Sequence, residues 1–179
     1  MSEILFTVLI VAVALERLAE LVVSRRNAAW SFERGGVETG QRHYLVMVVL
    51  HSGLLVGALC EVWVRRPDFV PALGISMLIL VLGSQALRWW CIQTLGSRWN
   101  TRVIVVPGLP LVTGGPYRLT SHPNYVAVVL EGFALPLVHS AWITATIFTV
   151  CNAVLLAVRL RVENAALADA APRPTEVAS

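Results

Sequence analysis

Residues 114–130 read GGPYRLTSHPNYVAVVL, and they join two kinds of sequence that rarely adjoin. The first half is polar and aromatic and begins with a turn-forming Gly-Gly-Pro. The second half is apolar enough to enter a bilayer. Because Pro123 suits the first position of a helix, we expect Ser121 or His122 to cap a membrane helix whose free amides attract an anion. The stretch predicts either an ordinary interfacial loop or a site that holds a charged small molecule beside a lipophilic one.

The composition of the whole chain is that of a membrane protein. Hydrophobic residues make up 56% of the 179 residues, charged residues make up 14%, and the mean hydropathy is +0.70. All 14 basic residues are arginines, and a net charge of +3 gives nucleic-acid binding little support. The three cysteines lack a C-x-x-C spacing and are interpreted as reduced packing thiols. The length predicts a single domain, 1–170, followed by a flexible tail at 171–179.

Five apolar stretches predict an all-α integral membrane protein with about five transmembrane helices. Each stretch is near the ~20 residues that a helix needs to cross hydrocarbon, except the fourth, which is shorter. We place the spans at about 4–24, 43–64, 71–95, 123–137 and 141–160. The short connection between the last two predicts a helical hairpin, and the polar residues that follow predict that the last helix continues beyond the membrane. The first span has no positively charged n-region and is interpreted as a retained helix.

The arginines are distributed unevenly between the two sides of these spans. The loops at 25–42 and 96–122 and the C-terminal tail carry most of them, whereas the opposite side has only Arg65 and Arg66. The positive-inside rule therefore predicts a cytosolic arginine-rich side and an external N-terminus. In that orientation the opening stretch faces cytosolic metabolites.

Several ionisable side chains lie within the predicted spans, where their cost makes each one a candidate for function. Glu16 and Glu20 share one face of the first span, and Tyr44 and His51 share one face of the second. The alternative for the glutamates is pairing with Arg17 or with an arginine of another span. A lone histidine is more often an interhelical hydrogen-bonding group than a ligand. No histidine pair has a convincing metal spacing, so we predict no metal.

The hairpin brings two polar pairs to the same end of the last two spans. His122 and Tyr125 are three residues apart, and Arg159 and Glu163 are four residues apart where the last span leaves the membrane. Alone, the second pair would be a surface salt bridge worth well under ~1 kcal/mol. Together the two pairs offer cationic and amide groups for a carboxylate and acidic groups for an ammonium, which suits a zwitterionic ligand.

These residues resemble those of a known family. GPYRLTSHPNY at 115–125, followed by the hairpin and R-x-x-x-E at 159–163, resembles the isoprenylcysteine carboxyl methyltransferase family, integral membrane enzymes that use S-adenosylmethionine. ERLAELVVSRRN, GGVETGQRHY and LGSRWNTRVIVVPGLPLV resemble its bacterial branch encoded beside type III polyketide synthases, which O-methylates long-chain alkylpyrones and alkylresorcinols. The chain departs from the family pattern at Ser121, where arginine is usual, and at Asn164, where a second glutamate is common. The family's F-G-x-x-Y tail is also absent.

The resemblance implies roles for named residues. Those expected to contact the cofactor are Tyr117, Arg118, His122, Pro123, Tyr125, Glu163 and Asn164. Other roles follow from the polar residues of the predicted spans and not from the resemblance. Those expected to serve catalysis are Arg159, Glu163 and His51, with Glu16 or Glu20 as alternatives to His51 as the general base. Those expected to bind the substrate are Glu16, Glu20, Tyr44, His51, Arg88 and Trp99. The chain has no G-x-G-x-x-G motif, so helix ends and loops would have to form the cofactor site.

The resemblance also implies partners and a location. The acceptor would be a lipophilic small molecule that enters from the lipids of a bacterial inner membrane, and a type III polyketide synthase would be functionally linked. Two other acceptors stay open: an isoprenylcysteine carboxylate and a phospholipid amine. A different class of protein, a non-catalytic membrane scaffold that docks a partner through the polar loop, is a further alternative.

Overall fold

A computed structural model describes residues 1–170 of the chain. In this part the α-helices are α1 (Glu3–Phe32), α2 (Gln41–Arg65), α3 (Pro71–Leu95), α4 (Pro123–Leu137) and α5 (Trp142–Asp169). Single 3₁₀ turns occupy Gly96–Arg98 and Gly115–Arg118. The structure confirms a mostly helical protein. The tail predicted at 171–179 lies outside the described residues, and the single domain stays a prediction.

Two features of the loops differ from the sequence expectation. α1 continues past the predicted end of its span to Phe32, because no glycine or proline interrupts the chain before Gly35. The strands β1 (Val37–Thr39) and β2 (Val103–Val105) form an antiparallel pair that was not predicted. Strands of three residues are too short to show a clear alternation of apolar and polar residues.

Three helical stretches are long and apolar enough to cross a membrane: His43–Arg65, Pro71–Arg98 and Trp142–Asp169. α1 is not among them because its apolar sequence is interrupted by charged residues. The 15 residues of α4 extend over about 22 Å at ~1.5 Å per residue, less than the ~30 Å of hydrocarbon in a bilayer. The chain is thus a membrane protein, whereas the count of five spans and the external N-terminus stay predictions.

α4 lies at the centre of the bundle, packed between α3 and α5, and α2 packs on α5. Its close approach to α5 depends on Gly132, since a Cβ atom there would overlap the ring of Phe148. The other helices expose long apolar side chains on their outer surfaces, as expected for contact with lipid. Examples are Leu5, Val8, Leu45, Val49, Ile75, Ile79, Ile147 and Val150.

The two ends of the bundle differ in chemistry. A dry apolar core fills the end where α1 begins, with Phe6 and Ile10 packed near Val62 and Leu135. The sheet, the 96–122 loop and the C-terminus of α5 lie at the other end, which we call the arginine-rich end. The candidate site described next is at this second end.

A side chain of α2 stabilises the turn between α4 and α5. The first turn of α5 has no side-chain cap of its own. Glu61 of α2 instead accepts hydrogen bonds from the backbone N–H groups of Ile143 (3.0 Å) and Thr144 (2.8 Å), and from the Thr144 hydroxyl at 2.8 Å. A carboxylate at a helix N-terminus is favoured by the free amides and by the helix dipole. α2 therefore fixes the position of the first turn of α5. Because α5 is one continuous helix, the depth of the residues at its far end in the bundle is fixed as well.

Candidate active site

The beginning of α4 brings His122 and Tyr125 to the arginine-rich end. His122 occupies the N-cap position, but its side chain makes no capping hydrogen bond to the helix, which corrects the expected use of this side chain as a cap. The imidazole reaches α5 instead, where Nε2 lies 2.9 Å from Asn164 Oδ1. The rings of His122 and Tyr125 are stacked, with centroids 5.4 Å apart. The amides of the first turn of α4 thus receive no side-chain oxygen from the N-cap residue.

The end of α5 completes a polar cluster with these two rings. The Tyr125 hydroxyl donates to the Glu163 carboxylate and accepts from Arg159 Nε at 2.8 Å. Glu163 Oε1 also lies 3.6 Å from His122 Nδ1. We call the set His122, Tyr125, Arg159, Glu163 and Asn164 the polar cluster. The structure therefore brings together the two pairs that the hairpin was predicted to place at one end.

The surroundings of His122 favour its protonated form. The neighbouring Glu163 carboxylate has the largest influence on the pKa of His122 and raises it above the ordinary value, burial opposes this shift, and the hydrogen bond to Asn164 supports it. Because the amide oxygen of Asn164 can only accept, Nε2 must carry a hydrogen. The charged form of the ring is favoured by the Glu163 carboxylate, whose Oε1 lies 3.6 Å from Nδ1.

Arg159 connects the polar cluster to the opposite side of α5. Besides Tyr125, its guanidinium contacts the carbonyl oxygen of Thr101 at 2.5 Å and the sulfur of Met47 at 2.7 Å. It also borders a small cavity that is lined by Glu38 and Tyr44. A guanidinium is planar and offers donors in several directions, which suits it to this bridging position.

An open cleft of about 540 Å³ lies beside that cavity, between α1, α2 and the chain that leads into β2. Both spaces are bordered by Glu38, Tyr44 and Arg102, and Arg102 donates to Glu38 at 3.0 Å. Of the residues predicted to bind substrate, Tyr44 is therefore the one that lines this cleft. Arg159 of the polar cluster borders the small cavity, which connects the cluster to the region of the cleft.

Three other predicted substrate residues, Glu16, Glu20 and Arg88, lie in an ionic network within the bundle. Arg17 of α1 donates to Glu20 and to Glu131 of α4, in each case at 2.7 Å. Arg88 of α3 also donates to Glu131 and lies 3.5 Å from Glu20. Gln85 and Trp89 donate to Glu16. These contacts match the alternative of charge pairing between helices. We call the set Glu16, Arg17, Glu20, Gln85, Arg88, Trp89 and Glu131 the ionic network.

Four other predicted residues lie outside the polar cluster and the ionic network. Trp99 is 2% exposed, and its indole N–H has no hydrogen-bond partner within residues 1–170. Tyr117 is partly buried beside Cys91, and this burial raises the pKa of its phenol. Arg118 is exposed on the 3₁₀ turn that also contains Tyr117. His51 lies on α2, below the polar cluster, and its Nδ1 is 2.8 Å from the carbonyl oxygen of Met47.

Two neighbours of Arg159 were missed by the sequence analysis. Thr101 contributes a backbone carbonyl, for which no side-chain pattern exists. Met47 had a weak signal, since it lies on the face of α2 that also carries Tyr44 and His51, three and four residues away. Arg17 was noted in the sequence as a pairing partner, but its pairing with Glu131 depends on the rotation of two packed helices.

A family model for the isoprenylcysteine carboxyl methyltransferase (ICMT) family matches residues 75–169. This region includes all but the first turn of α3, the 3₁₀ turn before α4, and every residue of the polar cluster. The chain belongs to the ICMT family. Membership in this family, together with the apolar helices, makes it a membrane methyltransferase.

Two relatives extend the likeness beyond the ICMT region. The uncharacterized protein YpbQ of Bacillus subtilis is 38% identical over 168 residues, covering 92% of this chain and 98% of its own. An uncharacterized protein of Haemophilus influenzae is 23% identical over 158 residues, covering 88% of this chain and 91% of its own. No solved structure matches the chain. The relatives share nearly the whole length, and their names do not identify a substrate.

Proposed function

We propose that this ICMT family member is an S-adenosylmethionine-dependent O-methyltransferase whose acceptor is a lipophilic molecule such as a long-chain alkylpyrone or alkylresorcinol. The observation that carries the proposal is that Arg159 of the polar cluster contacts Tyr125 and also borders the small cavity that adjoins the cleft lined by Tyr44. A methyltransferase must hold a charged, water-soluble donor and a lipophilic acceptor side by side. The polar cluster supplies charged groups for the donor, and the cleft opens between α1 and α2, whose outer surfaces are apolar.

The polar cluster fits the donor by its chemistry. Glu163 supplies a carboxylate for an ammonium group, and the first-turn amides of α4 attract a carboxylate together with His122, whose pKa is raised. The stacked rings of His122 and Tyr125 offer a flat surface, and the Tyr125 face favours a cation. When bound, S-adenosylmethionine supplies an electrophilic methyl group on a sulfonium sulfur. Methyl transfer of this kind is an in-line displacement, so the main task of these residues is positioning.

The binding site for the methyl acceptor is proposed on two grounds: the presence of the cleft, and the resemblance of the sequence to the bacterial branch of the family. Tyr44 and Arg102 border the cleft at the arginine-rich end, and the outer surfaces of α1 and α2 are apolar. An acyl chain would approach through this cleft from the surrounding lipid, while its head group moves toward Arg159. In this proposal the arginine-rich end faces the cytosol of a bacterial inner membrane, and a type III polyketide synthase supplies the acceptor.

Calorimetric titration of the detergent-purified protein with S-adenosylhomocysteine tests the donor site. Losing the Glu163 carboxylate removes a charge-assisted hydrogen bond, so Glu163→Ala is expected to weaken binding roughly ten- to a hundredfold. His122→Ala is expected to weaken it as well. Asp169→Ala removes an exposed carboxylate from the same helix and serves as the matched control, with unchanged binding expected. A folded wild-type protein that gives no heat and no thermal stabilisation would favour the scaffold alternative.

The candidate methyl acceptors are then compared by measuring the transfer of a labelled methyl group to each of them. The panel consists of an alkylpyrone, an alkylresorcinol, a prenylcysteine and vesicles that contain phosphatidylethanolamine. Methylation of one of the two ring compounds supports the proposed acceptor class. Exclusive methylation of prenylcysteine or of the phospholipid amine would keep the methyltransferase and replace its acceptor.

A further inference from the structure

The buried face of α5 carries an amide, Asn152, two turns before Arg159. The rings of His51 on α2 and Phe148 on α5 meet with centroids 5.3 Å apart, and Met47 meets Arg159 three turns beyond Phe148 on α5. These contacts set an antiparallel register. Asn152 lies on the buried face of α5 with Phe148, one turn toward the arginine-rich end. The register therefore places Asn152 at a depth between the His51 contact and the Met47 contact.

The Asn152 side chain is buried without a protein partner. The residue is 4% exposed, and its amide makes no hydrogen bond to the described groups of residues 1–170, which do not include the side chain of Arg42. An amide that leaves water without a replacement partner is costly, and an apolar side chain of similar size would avoid that cost in a lipid-facing bundle. The amide offers two N–H donors and one acceptor oxygen. Such a group points to a ligand that supplies the missing partner.

His51 presents a free acceptor in the same interface. Its Nδ1 lies 2.8 Å from the carbonyl oxygen of Met47, and a carbonyl can only accept. Nδ1 therefore carries the hydrogen of the neutral ring, which leaves a lone pair on Nε2. No group of residues 1–170 donates to this nitrogen. The described part of the chain therefore leaves two groups without a hydrogen-bond partner: the acceptor nitrogen Nε2 of His51 and the side-chain amide of Asn152.

We propose that His51 and Asn152 form the head-group subsite for the acceptor, and that this subsite takes a hydroxyl-bearing ring and rejects a carboxylate. The inference rests on the proposed function and narrows its acceptor class. A ring hydroxyl donates to Nε2, while a second oxygen on the ring accepts an N–H of Asn152. An ionised carboxylate has no hydrogen for Nε2, so two acceptors would face each other. Arg159 of the polar cluster lies seven residues beyond Asn152 on the same face of α5, so the subsite adjoins the polar cluster.

The proposed subsite gives His51 a defined proton to accept. The acceptor hydroxyl gives its proton to Nε2 as its oxygen forms a bond to the methyl carbon. The bond between that carbon and the sulfonium sulfur breaks, and its electron pair stays on sulfur. The products are the methyl ether, neutral S-adenosylhomocysteine and a protonated His51, which returns its proton to water. A ring that is already ionised needs the base less than a resorcinol does, because the phenol pKa is ~10.

The test uses Asn152→Leu and His51→Gln, with Cys151→Ala as a control on the exposed face of α5. Three quantities are measured: heat of S-adenosylhomocysteine binding, thermal stabilisation by a long-chain alkylresorcinol without cofactor, and kcat/KM for the alkylresorcinol and for an alkylpyrone. Both variants are expected to bind S-adenosylhomocysteine within about twofold of wild type and to lose kcat/KM for the resorcinol by roughly tenfold or more. Asn152→Leu is also expected to lose the stabilisation by alkylresorcinol. His51→Gln is expected to lose much less activity with the alkylpyrone, whose enol is ionised near neutral pH.

Three outcomes would refute the proposed subsite. They also distinguish a failure of the subsite from a failure of the proposed function. If wild type methylates prenylcysteine but neither ring compound, the subsite is wrong and the methyltransferase stands. If both variants lose S-adenosylhomocysteine binding together with stability, the two residues serve packing and the subsite is wrong. If wild type binds no S-adenosylhomocysteine at all, the proposed function and the subsite fail together.

Discussion

The ionic network predicts an asymmetry between removing a positive and removing a negative side chain. Its two guanidiniums and three carboxylates sum to a formal charge of −1. Arg17→Met keeps most of the side-chain volume and changes this sum to −2, leaving Glu20 and Glu131 with Arg88 alone. Glu131→Gln changes the sum to zero and retains a carbonyl oxygen as an acceptor. We therefore expect Arg17→Met to be the more damaging of the two.

The magnitudes follow from the contacts. Arg17 donates to two carboxylates at 2.7 Å and to Gln85 at 2.9 Å, and its side chain is 20% exposed. Breaking a buried ion pair costs roughly 3–5 kcal/mol, and the partial exposure of Arg17 favours the lower figure, about 3 kcal/mol. Glu131→Gln exchanges charged for neutral hydrogen bonds, at a cost of about 1 kcal/mol. At ~2–4 °C per kcal/mol, the melting temperature should fall by roughly 6–12 °C for Arg17→Met and by about 2–4 °C for Glu131→Gln.

We would compare the losses of stability by thermal unfolding of Arg17→Met, Glu131→Gln and the double variant, all in the same detergent. The double variant restores the wild-type sum of −1, so its loss should be smaller than the sum of the two single losses. A larger loss for Glu131→Gln than for Arg17→Met would refute the charge argument, and so would strictly additive losses. The same variants test the predicted substrate role of this network, because a change in acceptor KM without a change in melting temperature would indicate contact with substrate.

Three further outcomes are expected. Glu61→Ala leaves the first amides of α5 without their cap and should cost roughly 1–3 kcal/mol in thermal unfolding, whereas Glu61→Gln should retain part of the stability. The pKa of His122 is raised in the folded protein, so its contribution to stability is complete below its ordinary value of 6.5 and is lost as the pH rises through the folded pKa. Melting temperatures of wild type should therefore fall across that window relative to His122→Asn, and parallel curves would contradict the assignment. Gly132→Ala should cost roughly 1–3 kcal/mol by overpacking against Phe148, and addition of Phe148→Leu should recover part of the loss.

The polar cluster could be predicted because its members are close in sequence. His122 and Tyr125 are separated by one helical turn, as are Arg159 and Glu163, and the short hairpin fixes how the two helices meet. The short hairpin connection and the helical periodicity were enough to predict that these four side chains lie together. The direction of each side chain was not predictable, and His122 uses its ring to bind α5 instead of capping α4.

The ionic network and the cleft could not be predicted in the same way. Arg17, Arg88 and Glu131 come from three helices whose rotations are set by apolar packing along their whole lengths. The sequence showed that charges lie within the spans but not which ones face each other. The cleft depends on the β1–β2 pair, whose strands of three residues leave no readable pattern.

The position of Arg159 has a thermodynamic consequence. A single guanidinium contacts Tyr125 on the donor side and the Thr101 carbonyl and Met47 on the acceptor side. A ligand that shifts it on one side changes what it can contact on the other, so the two occupancies are coupled through one side chain. Such coupling is reciprocal: whatever factor the acceptor imposes on donor affinity, the donor imposes on acceptor affinity. The sign and size of this coupling depend on how the two ligands move one arginine, and they are the same whichever molecule binds first.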